Sequence, residues 1–435
     1  MKATIAVLDK KKGKTILSEN SNKQFKPLKK PSVFFRGRIY TQSPSSSDTE
    51  IFTKQLEKGD PFKAAKLFLE KAEGSFAFII AESERIIAGR DTVGIQPLYF
   101  GENDEVAAFA TNRKALWTLD IHETGSFPPG HLGFISREGF QFQPVKILLY
   151  SQPKLVTMQE AAEMLEKLLT LSVRRCVSGS KDIAVAFSGG LDSSIVAFLA
   201  KKCHVKVHLV HVSLENQPET EEAKKAAQAL DLPLQVYLFR EEEVESIVST
   251  VVELIEEYDP IKASIGVPFY WVAEKTAELG FKALLAGQGA DELFGGYHRY
   301  VNEYLLHGGE KTQKIMFDDI VDIHKNNIER DMKICSFHNI DLRLPFGSYR
   351  IANFAKDLPV ELKLERRADT CRKLVLRKVA RQIGLPSMIT KKPKKALQYS
   401  TGVNNALKKI AKKHKKTLAE YIKDVFLSQI GNSIS

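Results

Sequence analysis

The sequence predicts two folded parts: a strand-rich first part over residues 1–150, and an α/β second part over residues 155–435. The second part is built on a doubly wound parallel sheet and ends in a helical region. Three observations lead there. The first 150 residues carry short β-branched or aromatic runs bounded by turn residues. From residue 158 onward, strands alternate with amphipathic helical stretches, the pattern of a parallel sheet covered on both faces. A glycine–serine loop then joins an apolar strand directly to a helix, as ligand-binding turns of such sheets do.

In the first part the strand signals are residues 32–40, 74–81, 85–89, 97–100 and 106–110. The boundary falls at residues 150–155, where the alternating segments stop and a long helical pattern begins. The second part then reads as helix 158–176, strand 183–187, helix 193–203, strand 205–213, helix 219–230 and strand 234–239. Helices 241–258 and 267–279 and strand 282–286 follow, and beyond Ala290 the pattern is mostly helical.

Composition narrows the function classes. A chain of 435 residues with 43% hydrophobic content has enough apolar surface for real cores. No run approaches the roughly 20 apolar residues that span a bilayer, and the opening residues are too polar for a signal peptide. Cys176, Cys203, Cys335 and Cys371 are scattered without a Cys-x-x-Cys pair, which points away from zinc and disulfides and toward a reducing cytoplasm. The net charge of +11 raises a nucleic-acid partner, but the basic run 408–416 reads more simply as the solvated face of a helix.

The sharpest signal is SGGLDSS, residues 188–194, between the apolar strand and a helix. Gly189 and Gly190 let the backbone turn tightly and approach a ligand. The N–H groups opening the helix, at the positive end of its dipole, favour an anion. Ser188, Ser193 and Ser194 add hydroxyl donors, and Asp192 offers a hard oxygen to a magnesium ion bridging phosphates. The loop lacks the Gly-Lys-Ser/Thr of a Walker loop and the spacing of GxGxxG. It resembles the pyrophosphate loop of ATP pyrophosphatases, which cleave ATP between the α and β phosphates and adenylate a substrate.

A second glycine-flanked loop, Gly287 to Tyr297, follows strand 282–286 at the edge where the doubly wound rule places ligands. Asp291 there reads either as a second magnesium ligand or as an acid opening a helix. The run GADELFGGYHRY resembles the GSDELFGGY signature of asparagine synthetases, and further matches follow in order. They are Arg330-Asp331, Asp341-Leu342-Arg343-Leu344-Pro345-Phe346, Lys373-x-x-Leu-Arg377, Leu385-Pro386-x-x-Ile389 and Lys392-Pro393-Lys394. The resemblance covers about residues 155–402. It implies that Lys394 is the catalytic lysine, that Val212 and Ser213 contact adenine, and that Asp192 and Asp291 hold Mg²⁺ beside ATP. One departure is clear: the family's usual glutamate, which receives ammonia and takes its proton, is Gln288 here. Glutamine cannot act as that base, though its carbonyl can accept a hydrogen bond from ammonia.

The first part resembles the glutaminase domain of the same family, an Ntn-type αββα sandwich, at residues 74–78, 90–99, 128–131 and 47–50. Lys2 stands where the nucleophilic cysteine belongs, the early His-Arg-Gly-Pro-Asp segment is missing, and Arg36 replaces the oxyanion-hole asparagine. The expectation is a degenerate glutaminase-like domain joined to a synthetase domain. Its function would be asparagine synthesis from aspartate through β-aspartyl-AMP, with ammonia not generated by this chain as the nitrogen donor. Two rivals stand beside it: adenylation of another carboxylate, as in β-lactam synthetases, and a non-catalytic ATP-binding regulatory protein. A separate glutaminase subunit and a homodimer are the protein partners the reading leaves room for; membrane and nucleic acid are not among them.

Overall fold

The computed structural model describes residues 3–18, 31–40, 47–57, 59–367, 371–393 and 397–434. The chain divides between Leu149 and Tyr150 into two compact units.

Two five-stranded antiparallel sheets form the first unit. One has the order β2 (Lys14–Ser18), β1 (Ile5–Asp9), β7 (Val106–Ala110), β6 (Tyr99–Glu102), β8 (Thr124–Ser126). The other runs β10 (Gly139–Pro144), β9 (His131–Ser136), β5 (Ile86–Arg90), β4 (Gly74–Ala81), β3 (Ser32–Ile39). Period-two alternation sorts the side chains into layers. Ala6, Leu8, Ala77, Ile79, Ala88 and Phe109 form one core shared by strands of both sheets. Phe76, Phe78 and Ile80, on the opposite face of β4, pack with Phe52 of α1 (Asp48–Leu56) and Phe68 of α2 (Pro61–Lys71). Ile5, Val7 and Tyr99 pack with Leu116 of α3 (Arg113–Trp117). The result is the expected four-layer sandwich of helix, sheet, sheet and helix. The Ser47-Asp48-Thr49-Glu50 element is a capping box opening α1: Ser47 Oγ accepts from Glu50 N at 3.2 Å, and the Glu50 carboxylate accepts from Ser47 N.

The second unit holds one five-stranded sheet, in which every pairing is parallel. Its order is β13 (Leu234–Phe239), β12 (Lys206–Leu214), β11 (Asp182–Ala186), β14 (Ala283–Leu285), β15 (Asp341–Arg343). Ile183, Ala184 and Val185 are fully buried in succession, because a strand covered on both faces has no solvent side. From β11 the chain winds outward through β12 and β13, then returns to β14 on the other flank. This reversal opens a crevice beyond the ends of β11 and β14.

The connecting helices are α4 (Met158–Val177), α5 (Leu191–Lys202), α6 (Pro218–Ala229), α7 (Glu241–Ile255) and α8 (Pro260–Glu278). After β14 come α9 (Ala290–Phe294), α10 (His298–Val321), a π-helical turn His324–Ile328, α11 (Glu329–Phe337), α12 (Tyr349–Lys356) and α13 (Leu374–Gln382). Two helix limits differ from expectation. α7 stops at Ile255 because Glu256 turns left-handed, at φ 59°. α8 starts seven residues early, where Asp259 caps Ile261 N and Lys262 N and Pro260 takes the first position; Pro268 then sits inside it. No helix among the described residues is long and apolar enough to cross a membrane.

Candidate active site

β11 ends at Ala186, and the chain turns through residues 187–190 into α5. Gly189 adopts φ +65°, and a Cβ there would lie 2.7 Å from Ala223 Cα of α6, so a larger residue is excluded twice over. Gly190 is the N-cap. Serine hydroxyls tie the loop to itself: Ser193 Oγ donates to Gly190 O at 3.3 Å, and Gly190 N donates to Ser188 Oγ at 3.3 Å. These weak bonds leave the first amides of α5 directed at the crevice end of the sheet, a ready anion site.

From β14, residues 286–289 lead into α9, whose first turn carries Asp291. The two loops touch through backbone: a Cβ on Gly287 would stand 2.9 Å from Asp192 Cβ and 3.2 Å from Ser193 N. Their carboxylates converge on a third residue. Lys373 Nζ lies 2.7 Å from Asp192 Oδ2 and 2.8 Å from Asp291 Oδ1, with the lysine only 2% exposed. Lys373 holds a left-handed backbone, φ 61° and ψ 47°, immediately before α13. Such strain in a non-glycine residue clusters at functional sites. In the sequence Lys373 stands out only as part of the Lys373-x-x-Leu-Arg377 spacing match. Its contact with acids 181 and 82 residues upstream, set by long-range folding, has no local signal in the sequence.

A cavity opens in the crevice. Val210, Val212, Phe269, Val272 and Leu397 line it with apolar surface, while Ser188, Asp192, Ser193, Gln288 and Asp291 give it a polar end. A purine would suit the former and phosphates the latter. His211 also borders it, with Nδ1 2.9 Å from Phe187 O. Burial holds this imidazole below its usual pKa, so it serves as a neutral tie between β12 and the loop.

Of the expected nucleotide contacts, Ser188, Asp192, Ser193, Val212 and Gly287 border the cavity, as do Asp291 and Gln288. Gly189 and Gly190 shape the turn without lining it. Ser194 lies deeper: it is fully buried, its hydroxyl has no hydrogen-bond partner among the described residues, and it does not line the cavity. Its position in the first turn of α5 faces the protein interior, not the loop. Lys394 lies outside the described residues. Its neighbour Lys392 donates to Gly189 O at 3.3 Å and pairs with Glu222 at 2.8 Å. Arg377 holds this segment by donating to Thr390 O at 2.6 Å and Lys392 O at 2.9 Å.

Within α9, Glu292 is buried, and burial together with the adjacent Asp291 pushes its carboxyl pKa up. Tyr297 Oη donates to it at 2.5 Å, as does Asn327. Among the described residues no group of three or more His, Cys, Asp or Glu is placed to hold a metal.

A family profile described as asparagine synthase matches residues 164–311 and 302–430, and one described as a glutamine amidotransferase domain matches residues 36–118. A Methanocaldococcus jannaschii protein, provisionally named asparagine synthetase (glutamine-hydrolysing) 1, is 32% identical over 404 residues, covering 81% of this chain and 74% of that one. Asparagine synthetase (glutamine-hydrolysing) 2 of Arabidopsis thaliana is 27% identical over 339 residues, 74% of this chain and 56% of that one. The rice (Oryza sativa subsp. japonica) protein of the same name is 28% identical over 340 residues, with 74% and 55% covered. The chain thus spans about three quarters of the archaeal relative and little more than half of the plant ones.

Proposed function

Since the chain belongs to the asparagine synthase family, we propose that it is an ATP-dependent, AMP-forming carbon–nitrogen ligase making asparagine from aspartate and ammonia. The observation that carries this reading is the pair Asp192 and Asp291, brought from two separate loops onto the buried Lys373 ammonium at the polar end of a cavity otherwise lined by apolar side chains.

In this reading Val212 borders the adenine, and the amides opening α5, with Ser188 and Ser193, hold the phosphates. The aspartate side-chain carboxylate attacks the α-phosphorus, the bond to the β-phosphate oxygen breaks, and pyrophosphate leaves. Lys373, and Lys394 by family resemblance, oppose the negative charge that builds on the leaving pyrophosphate. Ammonia then forms the C–N bond as the C–O bond to AMP breaks, and the nitrogen's surplus proton passes to solvent.

Asp192 and Asp291 fit a magnesium ion, since they are hard oxygen ligands already converging on a point occupied by positive charge. When bound beside ATP, Mg²⁺ would neutralise phosphate charge. Two protein ligands are few, so the ATP phosphates and water would complete its shell.

The first unit supports ammonia as the nitrogen source. Arg36 of β3 takes the place of an amide donor to an oxyanion, the four cysteines of this chain all lie beyond residue 150, and the amidotransferase profile matches only residues 36–118. Nucleophile and oxyanion donor act as a unit in such hydrolysis, so the loss of the amide at Arg36 supports the ammonia reading. Product formation is expected to rise with ammonium and with pH, as the free base becomes available, and to ignore glutamine. Isotope tracing checks it: label passing from amide-labelled glutamine to the product, with no second protein present, would contradict the ammonia reading.

A further inference from the structure

Gln288, the departure from the family's glutamate, is held by a residue that dictates which end of its amide faces the cavity. Its Nε2 donates to Asp331 Oδ2 at 2.6 Å. Asp331 is fully buried in α11, and the guanidinium of Arg330 grips both of its oxygens, Nε to Oδ1 at 2.7 Å and Nη2 to Oδ2 at 3.1 Å. A guanidinium has only donors, so both Asp331 oxygens accept from it, as a carboxylate's do. Burial pushes its pKa up, and the Arg330 charge opposes that push. A carboxylate can face only the NH₂ end of Gln288, which turns Oε1 away from Asp331. Gln288 borders the cavity, so that oxygen is the end left for a ligand.

The support for Asp331 is itself built. Arg330 Nη1 donates to Asn327 Oδ1 at 3.3 Å, and Asn327 Nδ2 donates to Tyr297 Oη at 3.2 Å and to Glu292. Asn327 sits in the π-helical turn His324–Ile328. One extra residue in that turn rotates the following face of α11, a device frequent at functional sites.

We propose that Asp331 is a positioning residue for the amidation half-reaction: it orients Gln288 so that Oε1 accepts an N–H from the incoming ammonia. An amide oxygen accepts a hydrogen bond but takes no proton at neutral pH. The nucleophile this site takes is therefore a small nitrogen base that arrives uncharged, its lone pair free for the acyl carbon. The assignment rests on the reading of the site as an adenylating ammonia ligase.

Two half-reactions separate it from a structural role. In the full chain, Asp331→Asn removes the orientation constraint, because an asparagine both donates and accepts and lets the Gln288 amide flip. Ammonium-dependent product formation, read as kcat/KM for ammonium, is expected to fall on the order of ten- to a hundredfold, as a misplaced reacting group does. Aspartate-dependent ATP–pyrophosphate exchange should stay within about twofold. Gln288→Leu should cost a similar factor, and the double variant no more than either single one, because both changes break one device. Additive losses, or an equal fall in both half-reactions, would overturn the assignment. Should Asp331→Asn fail to fold, Gln288→Leu decides alone: amidation unchanged with the oxygen removed would overturn it. Absent exchange in the unaltered protein would overturn the reading of the site, and this assignment with it.

Discussion

Lys373→Met is expected to abolish adenylation and to weaken the fold at the same time. The ammonium is 2% exposed and is shared by Asp192 and Asp291 at 2.7 and 2.8 Å. Methionine keeps the length of the side chain but leaves two carboxylates facing each other across an apolar group. Removing one partner of a buried ion pair costs about 3–5 kcal/mol. The two acids keep 16% and 19% of their surface, so the lower end, about 3 kcal/mol, is expected. Exchange should fall by at least on the order of a hundredfold, since this charge opposes the pyrophosphate as it leaves. Thermal melting with and without magnesium adds a check independent of activity. The variant should gain more from Mg²⁺ than the unaltered protein does, because a divalent cation can settle between the vacated acids. A variant melting as the parent does, with or without magnesium, would show that the ion bridge does not hold the two loops together.

Asp291→Asn is expected to have the next largest effect, with a different signature. Asparagine fits the same space, and Lys373 keeps its bond to Asp192 at 2.7 Å, so folding should change little. Glu292 would also lose a repelling neighbour, since the Asp291 charge is one cause of its raised pKa. Catalysis should not survive as well. A neutral oxygen is a far poorer ligand for magnesium than a carboxylate. Exchange is expected to drop on the order of a hundred- to a thousandfold, comparable to removing one preorganised electrostatic group. Titrating the residual activity with MgCl₂ tests the cause: part of the loss should return at high magnesium. Full activity in Asp291→Asn at ordinary magnesium would remove Asp291 from the metal site.

Both variants act on contacts unequally visible in the sequence. Residues 188–194 and 287–297 were legible because their chemistry is local: glycines, hydroxyls and an acid stand together between a strand and a helix. The central strands and helices of the second unit were legible for the same reason, through buried apolar runs and the 3.6-residue period. Lys373 was not, because its meaning depends on α13 returning to two loops far upstream. Nor could the Gln288–Asp331 bond be seen, since Arg330-Asp331 entered only as one matched segment among several. Three serines share one motif, but the turn of α5 sends Ser194 inward, a difference the motif alone does not carry. In the first unit the strand signals leave out the β1–β2 hairpin, although Gly13 marks its turn, the three-residue β8, β9, which Gly133 interrupts, and β10. The start of α8 is marked in the sequence by Asp259-Pro260, the cap and first position of the helix.

Everything in this account depends on ATP being cleaved between its α and β phosphates with aspartate as the acceptor. Incubation of the full chain with MgATP, labelled pyrophosphate and single amino acids, without ammonium, measures that step alone. Label is expected to enter ATP when aspartate is present and to stay at background with the other amino acids. No exchange with any acid, or release of ADP and phosphate instead of AMP and pyrophosphate, would contradict the account.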